Sequence, residues 1–362
     1  MLVAGLERNA PSVSRAFVGF DGYIDTLFRV VRERAPRGAA FFETIADFSR
    51  HLASAAGQSA DMELVREETR FGGNAPLLAN ALASLGMPAT CLGAMGYPEI
   101  DPAFASLHRD CRAVSVSGPG ETTVFEFGDG KLMFADLAPL ESFGWQLLRK
   151  RVGVDAMTEL AGECDLVCLV NWGGLVQAQE VWAGFLSEVL SRVSRPQRMF
   201  VDLADLSKRT VPDVLALLDL LAACAAGHEV TLGLNEHEAW TLHERLIKAG
   251  RVSATRRKPR LGEVCERLFS ALGLHAVLVH SIDRSYSITE SGLVERRGTV
   301  VSRPRISTGG GDHFNAGYCF ARSLDLEEAL SLDCAMTVSR LYIQSGRSPA
   351  LADLIAEVRE GA

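Results

Sequence analysis

Short apolar runs alternate with stretches of helical periodicity along nearly the whole chain. Arg15–Phe20, Ala89–Leu92, Leu166–Val170, Met199–Asp202, Val230–Leu234 and Ala276–His280 read as strands. Between them, Asn74–Leu85, Ala178–Val193, Pro212–Ala226, Asn235–Ala249 and Leu261–Leu272 read as helices. A strand that is apolar at successive positions must be covered on both faces. Repeated strand–helix units achieve that as a mostly parallel central sheet between two helical layers, a three-layer α/β sandwich. Ser285–Thr289 and Leu293–Arg297 read as a hairpin around Glu290–Gly292, and Asp312–Arg322 and Leu326–Ser345 as two closing helices.

Three stretches break this rhythm. Thr26–Arg32 and Asp61–Thr69 look extended, and Ala113–Ala135 holds three β-like runs separated by Gly118-Pro119-Gly120 and Gly128-Asp129-Gly130. Phe41–Ala56 has helical periodicity. The expectation is one domain over residues 1–362, with a small discontinuous sheet from about 26–34, 61–70 and 113–135 standing over one edge of the main sheet.

The chain has 362 residues, with 45 acidic against 37 basic side chains, a net charge of −8. That balance argues against a general nucleic-acid binder, which needs a basic face. Eight cysteines are scattered without a CxxC pair, as expected of buried free thiols in a reducing cytoplasm. Glu7, Arg8 and Asn9 stand where a secretory signal would need an apolar core. The longest apolar run, Val214–Ala226, contains Asp219 and is too short to span a bilayer. No membrane association and a cytoplasmic location are the expectation. Arg251–Arg260 is a basic stretch that reads as a solvated loop.

The sharpest chemical signal is ISTGGGDHFNAGY, Ile306 to Tyr318. Three glycines let backbone approach a ligand closely, and the helix starting near Asp312 aims unpaired N–H groups into the same place. Together they make a nest for an anion such as a phosphoryl group. A carboxylate set there would repel a phosphate unless it had a use, and removing a proton from an attacking hydroxyl is such a use. A glycine-rich turn with Asp312 as a plain N-cap is the bland alternative. The segment is not GxGxxG and lies near the C-terminus, which disfavours a dinucleotide fingerprint.

This segment resembles the C-terminal signature of the ribokinase/PfkB carbohydrate kinases, a D-T-x-G-A-G-D-x-F stretch, here Ser307 to Phe314 with Ser307 in place of the leading Asp. The resemblance implies a ribokinase-like fold with the small sheet as a lid, Asp312 as general base, and the Gly309, Gly310, Gly311 and Asp312 amides as an anion hole. Phe71 to Gly96 resembles the family's N-terminal signature, with Gly72, Gly73 and Asn74 at a strand-to-helix turn where sugar hydroxyls would meet backbone and an amide side chain. VGFDGYIDTLFRV supplies Asp21 and Asp25, of which Asp25 is the better match to the family's substrate-binding aspartate and Asp21 reads either as a second contact or as a turn residue before Gly22. Asn235 and Glu238 in GLNEHEAW match the N-x-x-E motif that orders Mg²⁺ and phosphates through water, and Asp202, at the end of a strand, supports that shell with Lys208 or Arg209 nearby. Surface solvation of those two basic residues is at least as good a reading.

Two segments depart from the family pattern, the first being Tyr97-Pro98-Glu99 after Gly96, where the family often continues with a G-x-D type turn. Val277–Thr289 lacks the T-x-G-x-x-G of ATP-dependent members and offers Ser281, Asp283 and Arg284, so side chains would line the nucleotide site together with Asn235, Thr308, Gly309 and Gly311. His237, His280 and His313 are read as structural. The expected activity is phosphoryl transfer from a Mg²⁺-nucleotide, ATP with ADP as the alternative, to a hydroxyl of a sugar or polyol. Competing readings are a nucleoside or other small-alcohol kinase of this fold, an ADP-dependent sugar kinase, and a non-catalytic sugar-binding homologue. Lid sheets often pair in relatives, so a homodimer through the lid is among what the resemblance implies.

Overall fold

The structure is a computed structural model that describes residues 2–9, 14–36 and 38–360. Its strands, numbered in chain order, fall into two sheets. The larger contains β1 (Ala16–Gly19), β5 (Ala89–Gly93), β6 (Cys111–Ser115), β9 (Leu166–Val170), β10 (Arg198–Asp202), β11 (Glu229–Asn235), β12 (Ala276–His280), β13 (Arg284–Thr289) and β14 (Gly292–Arg297). They are ordered β14-β13-β12-β11-β10-β9-β1-β5-β6. Pairing is parallel from β6 to β12 and antiparallel for the β13–β14 hairpin at the far edge.

Both faces of this sheet are covered, so alternate residues of one strand enter different cores. Phe17 and Val167 join the cluster on one face, with Trp182 and Phe185. Val18 and Cys168 join the other, against the Asn74–Ser84, Gly310–Ser323 and Glu328–Ser345 helices. Phe17 stacks on Phe185 with ring centroids 5.0 Å apart. Each such fully buried side chain contributes about 1.5–3 kcal/mol, and this two-sided demand is why the strands read as continuous apolar runs. All eight cysteines are free, Cys224 half-buried and the rest buried.

The smaller sheet contains β2 (Tyr23–Ala35), β3 (Gly38–Phe41), β4 (Leu64–Gly72), β7 (Gly120–Phe127) and β8 (Gly130–Asp136), in the order β3-β2-β7-β8, with β4 paired to β2. It has its own small core of Val30, Phe42 and Phe48, the last from the Ile45–Ser54 helix capped by Thr44. Two boundaries differ from the sequence reading. Cys111–Ser115 pairs with β5 in the main sheet, in register Ala89 to Cys111, instead of beginning the small one. Gly38–Phe41 is a strand on β2, so the helix read from Phe41 starts at Ile45. No helix of the described residues is long and apolar enough to cross a membrane.

Candidate active site

From β1 the chain moves outward through β5 and β6, then returns to β9 and proceeds the opposite way to β12. The crossover connections diverge at β1, and the carboxyl ends of the strands beside such a point form a crevice. Asp21 follows β1, Asn171 follows β9, Asp202 ends β10, Asn235 ends β11 and His280 ends β12. Asn171 and Ala204 hold positive φ angles of 58° and 53°, unusual for non-glycine residues and found here at two strand ends facing one cavity.

The glycine loop crosses this crevice. Gly309 caps the Gly310–Ser323 helix with φ 91°, and a Cβ there would come within 2.8 Å of the Tyr342 hydroxyl. A side chain is therefore excluded on both conformational and steric grounds. The loop forms a partition between two cavities. Thr308, Gly309 and Asp312 face one of about 370 Å³, beside Asp25, Gly73 and Asn74. Gly310 and Gly311 face the other, about 740 Å³, beside Asn235, Ser281 and His280. The first-turn amides of the helix have no acceptor within it, so its positive end lies at the partition.

On the smaller cavity's side, Asn74 Nδ2 donates to Asp312 Oδ1 at 2.9 Å. Burial, then the Asp202 and Asp21 charges, hold the Asp312 carboxyl well above the usual carboxylate range, against the Asn74 bond and Lys131. Asp25, on β2, is 3% exposed and hydrogen-bonded by Thr122. A Cβ on Gly72 would lie 2.3 Å from its carboxylate, so Gly72 makes room for Asp25 and does not itself line the cavity.

Asp21 is not brought to either cavity. It is fully buried, its Oδ1 accepting from Ala75 N at 2.6 Å and its Oδ2 from Asn74 N at 2.9 Å and Asn171 Nδ2 at 2.5 Å. It caps the Asn74–Ser84 helix from outside, a role the local sequence does not distinguish from a ligand's.

Sequence reasoning missed several residues of the smaller cavity, Thr122 and Asp205 among them, and two bear on its chemistry. Asn171 is one; an asparagine directly after a buried strand, ahead of Gly173-Gly174, is the signal that marks it. Lys131 is the other. It comes from β8 of the small sheet and donates to Thr308 Oγ1 at 3.0 Å, with Asp25 and Asp312 acting on its charge. Nothing in its local sequence marks it.

Asn235 lines the larger cavity and forms a reciprocal capping box with Glu238, which lines neither cavity, with both N–H···O distances 2.9 Å. Glu238 is 8% exposed, and burial with the nearby Asp202 charge pushes its carboxyl up to about 8. Asp202 accepts from Asn315 Nδ2 at 2.7 Å and Ala204 N at 2.8 Å, while Asn315 Oδ1 is buried without a partner. Two buried carboxylates that oppose one another and an unpartnered amide oxygen suit a divalent cation. Among the described residues no three His, Cys, Asp or Glu side chains are grouped so as to hold a metal directly.

Ser281 lines the larger cavity. Asp283 does not; it accepts from Ser281 and Arg284 and faces a neighbouring hollow. His280, which the sequence reading set aside, does line it, and burial lowers its pKa to about 4. Arg209 is turned inward onto the Trp172 ring and the Trp172 and Leu175 carbonyls, whereas Lys208 lines the smaller cavity.

A mostly parallel sheet with a second sheet over its carboxyl edge and a glycine loop between two cavities is the arrangement of the ribokinase fold. Solved structures with this architecture include a proposed Ribokinase II from E. coli in complex with ATP and Mg²⁺, with a TM-score of 0.65 at 12% identity over 96% of this chain and 99% of that one. The adenosine kinase from Sinorhizobium meliloti gives a TM-score of 0.61 at 15% identity over 97% and 100%. The prokaryotic ketohexokinase family model matches residues 8–360, and the chain belongs to that family of carbohydrate kinases. Over 352 residues it is 29% identical to the ketohexokinase of Haloferax volcanii, covering 94% of this chain and 90% of that one.

Proposed function

We propose that this chain transfers the terminal phosphoryl group of ATP to a hydroxyl of a ketohexose. The observation that carries the reading is the partition: a carboxylate on the side of a small cavity and glycine backbone on the side of a larger one, meeting at one helix start. The name of the Haloferax relative supports the acceptor, and the E. coli complex with ATP and Mg²⁺ supports the donor.

In this reading Asp25, Gly73 and Asn74 orient the acceptor in the smaller cavity. Asp312 takes the hydroxyl proton as the new O–P bond forms and the bond to the departing ADP breaks. The Gly309–Asp312 amides and the helix dipole stabilise charge on the migrating phosphoryl group. Lys131 adds a cation from the small sheet, which acts as a lid that excludes water. A bound Mg²⁺ would neutralise the donor phosphates; Asn235, Glu238 and Asp202 would hold it through water.

The test is a matrix of ATP and ADP against ketohexoses, aldoses, polyols and nucleosides, followed by coupled detection of nucleotide turnover. ATP-dependent phosphorylation of ketohexoses is expected. Turnover with nucleosides alone, or with ADP alone, would replace the acceptor or donor named here. Absence of any Mg²⁺-nucleotide binding by calorimetry would leave a sugar-binding homologue.

A further inference from the structure

Three successive carbonyls of the glycine loop are each held by a side chain on the side away from the cavities. Thr308 O accepts from the Tyr342 hydroxyl at 3.0 Å and Gly310 O from Ser339 Oγ at 2.8 Å, while Gly309 O accepts from His313 Nδ1 at 2.7 Å in addition to the His313 backbone N–H at 3.1 Å. In a trans peptide the carbonyl and the following N–H point in opposite directions. Pulling these three oxygens back therefore turns the Gly309, Gly310 and Gly311 amides to the opposite side, where the Gly310 N–H makes a long bond of 3.4 Å to Ser307 O.

His313 is the member of this set with the most support of its own. Its ring is fully buried and lies parallel to Tyr342, with centroids 3.5 Å apart and planes 11° off. A carbonyl can only accept, so Nδ1 carries the hydrogen, and burial keeps the ring neutral, with its pKa lowered to about 4. Nε2 is then a bare acceptor, and Ser348 Oγ lies 2.8 Å from it. Ser348 Oγ in turn accepts from Asn80 Nδ2 at 2.8 Å. The donors thus run in one direction, Asn80 to Ser348 to His313 to Gly309 O. Asn80 stands on the same helix whose first residue, Asn74, holds Asp312. One helix thereby buttresses both the carboxylate and the loop.

We propose that His313 is a positioning residue of the anion hole: its neutral imidazole, fixed by Ser348 and the Tyr342 face, holds the Gly309 carbonyl so that the loop amides are presented to the transferring phosphoryl group. This rests on the phosphoryl-transfer reading above. His313 reaches neither cavity, so its effect passes through Gly309 and not through contact with substrate.

The experiment compares His313→Leu, which fills the space without a donor, with His313→Asn, whose Nδ2 can take the place of Nδ1. Deleting an anion-hole donor outright costs roughly a hundredfold or more in turnover, so misaiming one should cost His313→Leu about tenfold or more in kcat. KM for the sugar is expected to stay within about twofold, and His313→Asn to recover most of the loss. Calorimetry supplies a second readout. Mg-ADP should bind the variants as it binds the parent, whereas Mg-ADP with fluoroaluminate and sugar, which mimics the planar phosphoryl group, should bind His313→Leu more weakly.

Equal kcat in His313→Leu and the parent, or equal loss in His313→Leu and His313→Asn, overturns the proposal. Should His313→Leu not fold, Ser348→Ala keeps the stacked ring and removes only the group that fixes its Nε2; unchanged kcat and fluoroaluminate binding in that variant overturns it as well. Asp312→Asn separates the two levels. Near-normal turnover there defeats the kinase chemistry itself, whereas a dead Asp312→Asn beside a fully active His313→Leu defeats only the positioning role.

Discussion

Lys131 donates to Thr308 Oγ1 at 3.0 Å, joining the small sheet to the glycine loop across 177 positions of sequence. Both residues line the smaller cavity, and the bond brings an ammonium beside Asp312 and Asp25, both of which act on its charge. Lys131→Met keeps the length of the side chain and removes the charge. Its kcat should fall about a hundredfold, the scale of losing one preorganised charge-stabilising group. Unchanged kcat in steady-state assays would reduce Lys131 to a tether.

Asp312 is expected to be the group whose loss matters most to turnover. Asp312→Asn preserves shape and can still meet Asn74 through its amide oxygen, so folding should survive, as thermal unfolding would show. Turnover should fall at least about a hundredfold, the lower scale for loss of a general base.

The pH dependence follows from the same carboxylate. Only its ionised form accepts a proton, so kcat falls as pH drops through its pKa. Burial is the largest cause raising that pKa, followed by the Asp202 and Asp21 charges, with the Asn74 hydrogen bond and Lys131 opposing. The acid limb of kcat should therefore lie well above the ordinary carboxylate value of about 4. Asn74→Ala removes one stabiliser of the ionised form, and the limb should move to still higher pH. A pH–rate profile measured at saturating sugar decides this; a limb that stays in place or moves down would contradict the assignment.

Much of the central sheet was legible because its strands are covered on both faces, which writes burial into consecutive letters. Cys111–Ser115 was misplaced for a related reason. A short edge strand beside a turn-rich meander carries no mark of which sheet will pair with it, and its parallel partner β5 lies about twenty residues upstream. Gly38–Phe41 was hidden because Phe42 packs on Phe48 in one cluster, so an apolar pair ahead of the helix mimics its period.

The site divides in the same way. Asp312, the glycines, Asn74 and Asp25 lie in contiguous motifs whose chemistry is readable from neighbours in sequence. Lys131, Asn171 and the chain from Asn80 to His313 become meaningful only when distant segments meet, and no local pattern distinguishes them from surface or core residues. Asp21 shows the converse. Its neighbourhood looks like that of a ligand, yet its carboxylate accepts from two backbone amides and the Asn171 side chain.

A stability measurement separates those two roles for Asp21. As a substrate ligand, its replacement would raise KM and leave the melting temperature alone. As a buried cap it accepts from Ala75 N, Asn74 N and Asn171 Nδ2, and Asp21→Ala would leave all three donors without a partner. Breaking such a buried charged network costs about 3–5 kcal/mol, so the melting temperature should drop by several degrees or more. The sign with pH is also fixed. Burial raises the Asp21 carboxyl from 3.8 to about 6, so the stability it contributes is fully present below pH 3.8 and is lost as pH rises through about 6. The loss amounts to roughly 3 kcal/mol by neutral pH, at 1.36 kcal/mol per unit. Asp21→Asn cannot titrate, so its deficit in melting temperature relative to the parent should be larger at pH 5 than at pH 8. A deficit independent of pH, or a raised KM with unchanged melting, would return Asp21 to the substrate side of the helix it caps.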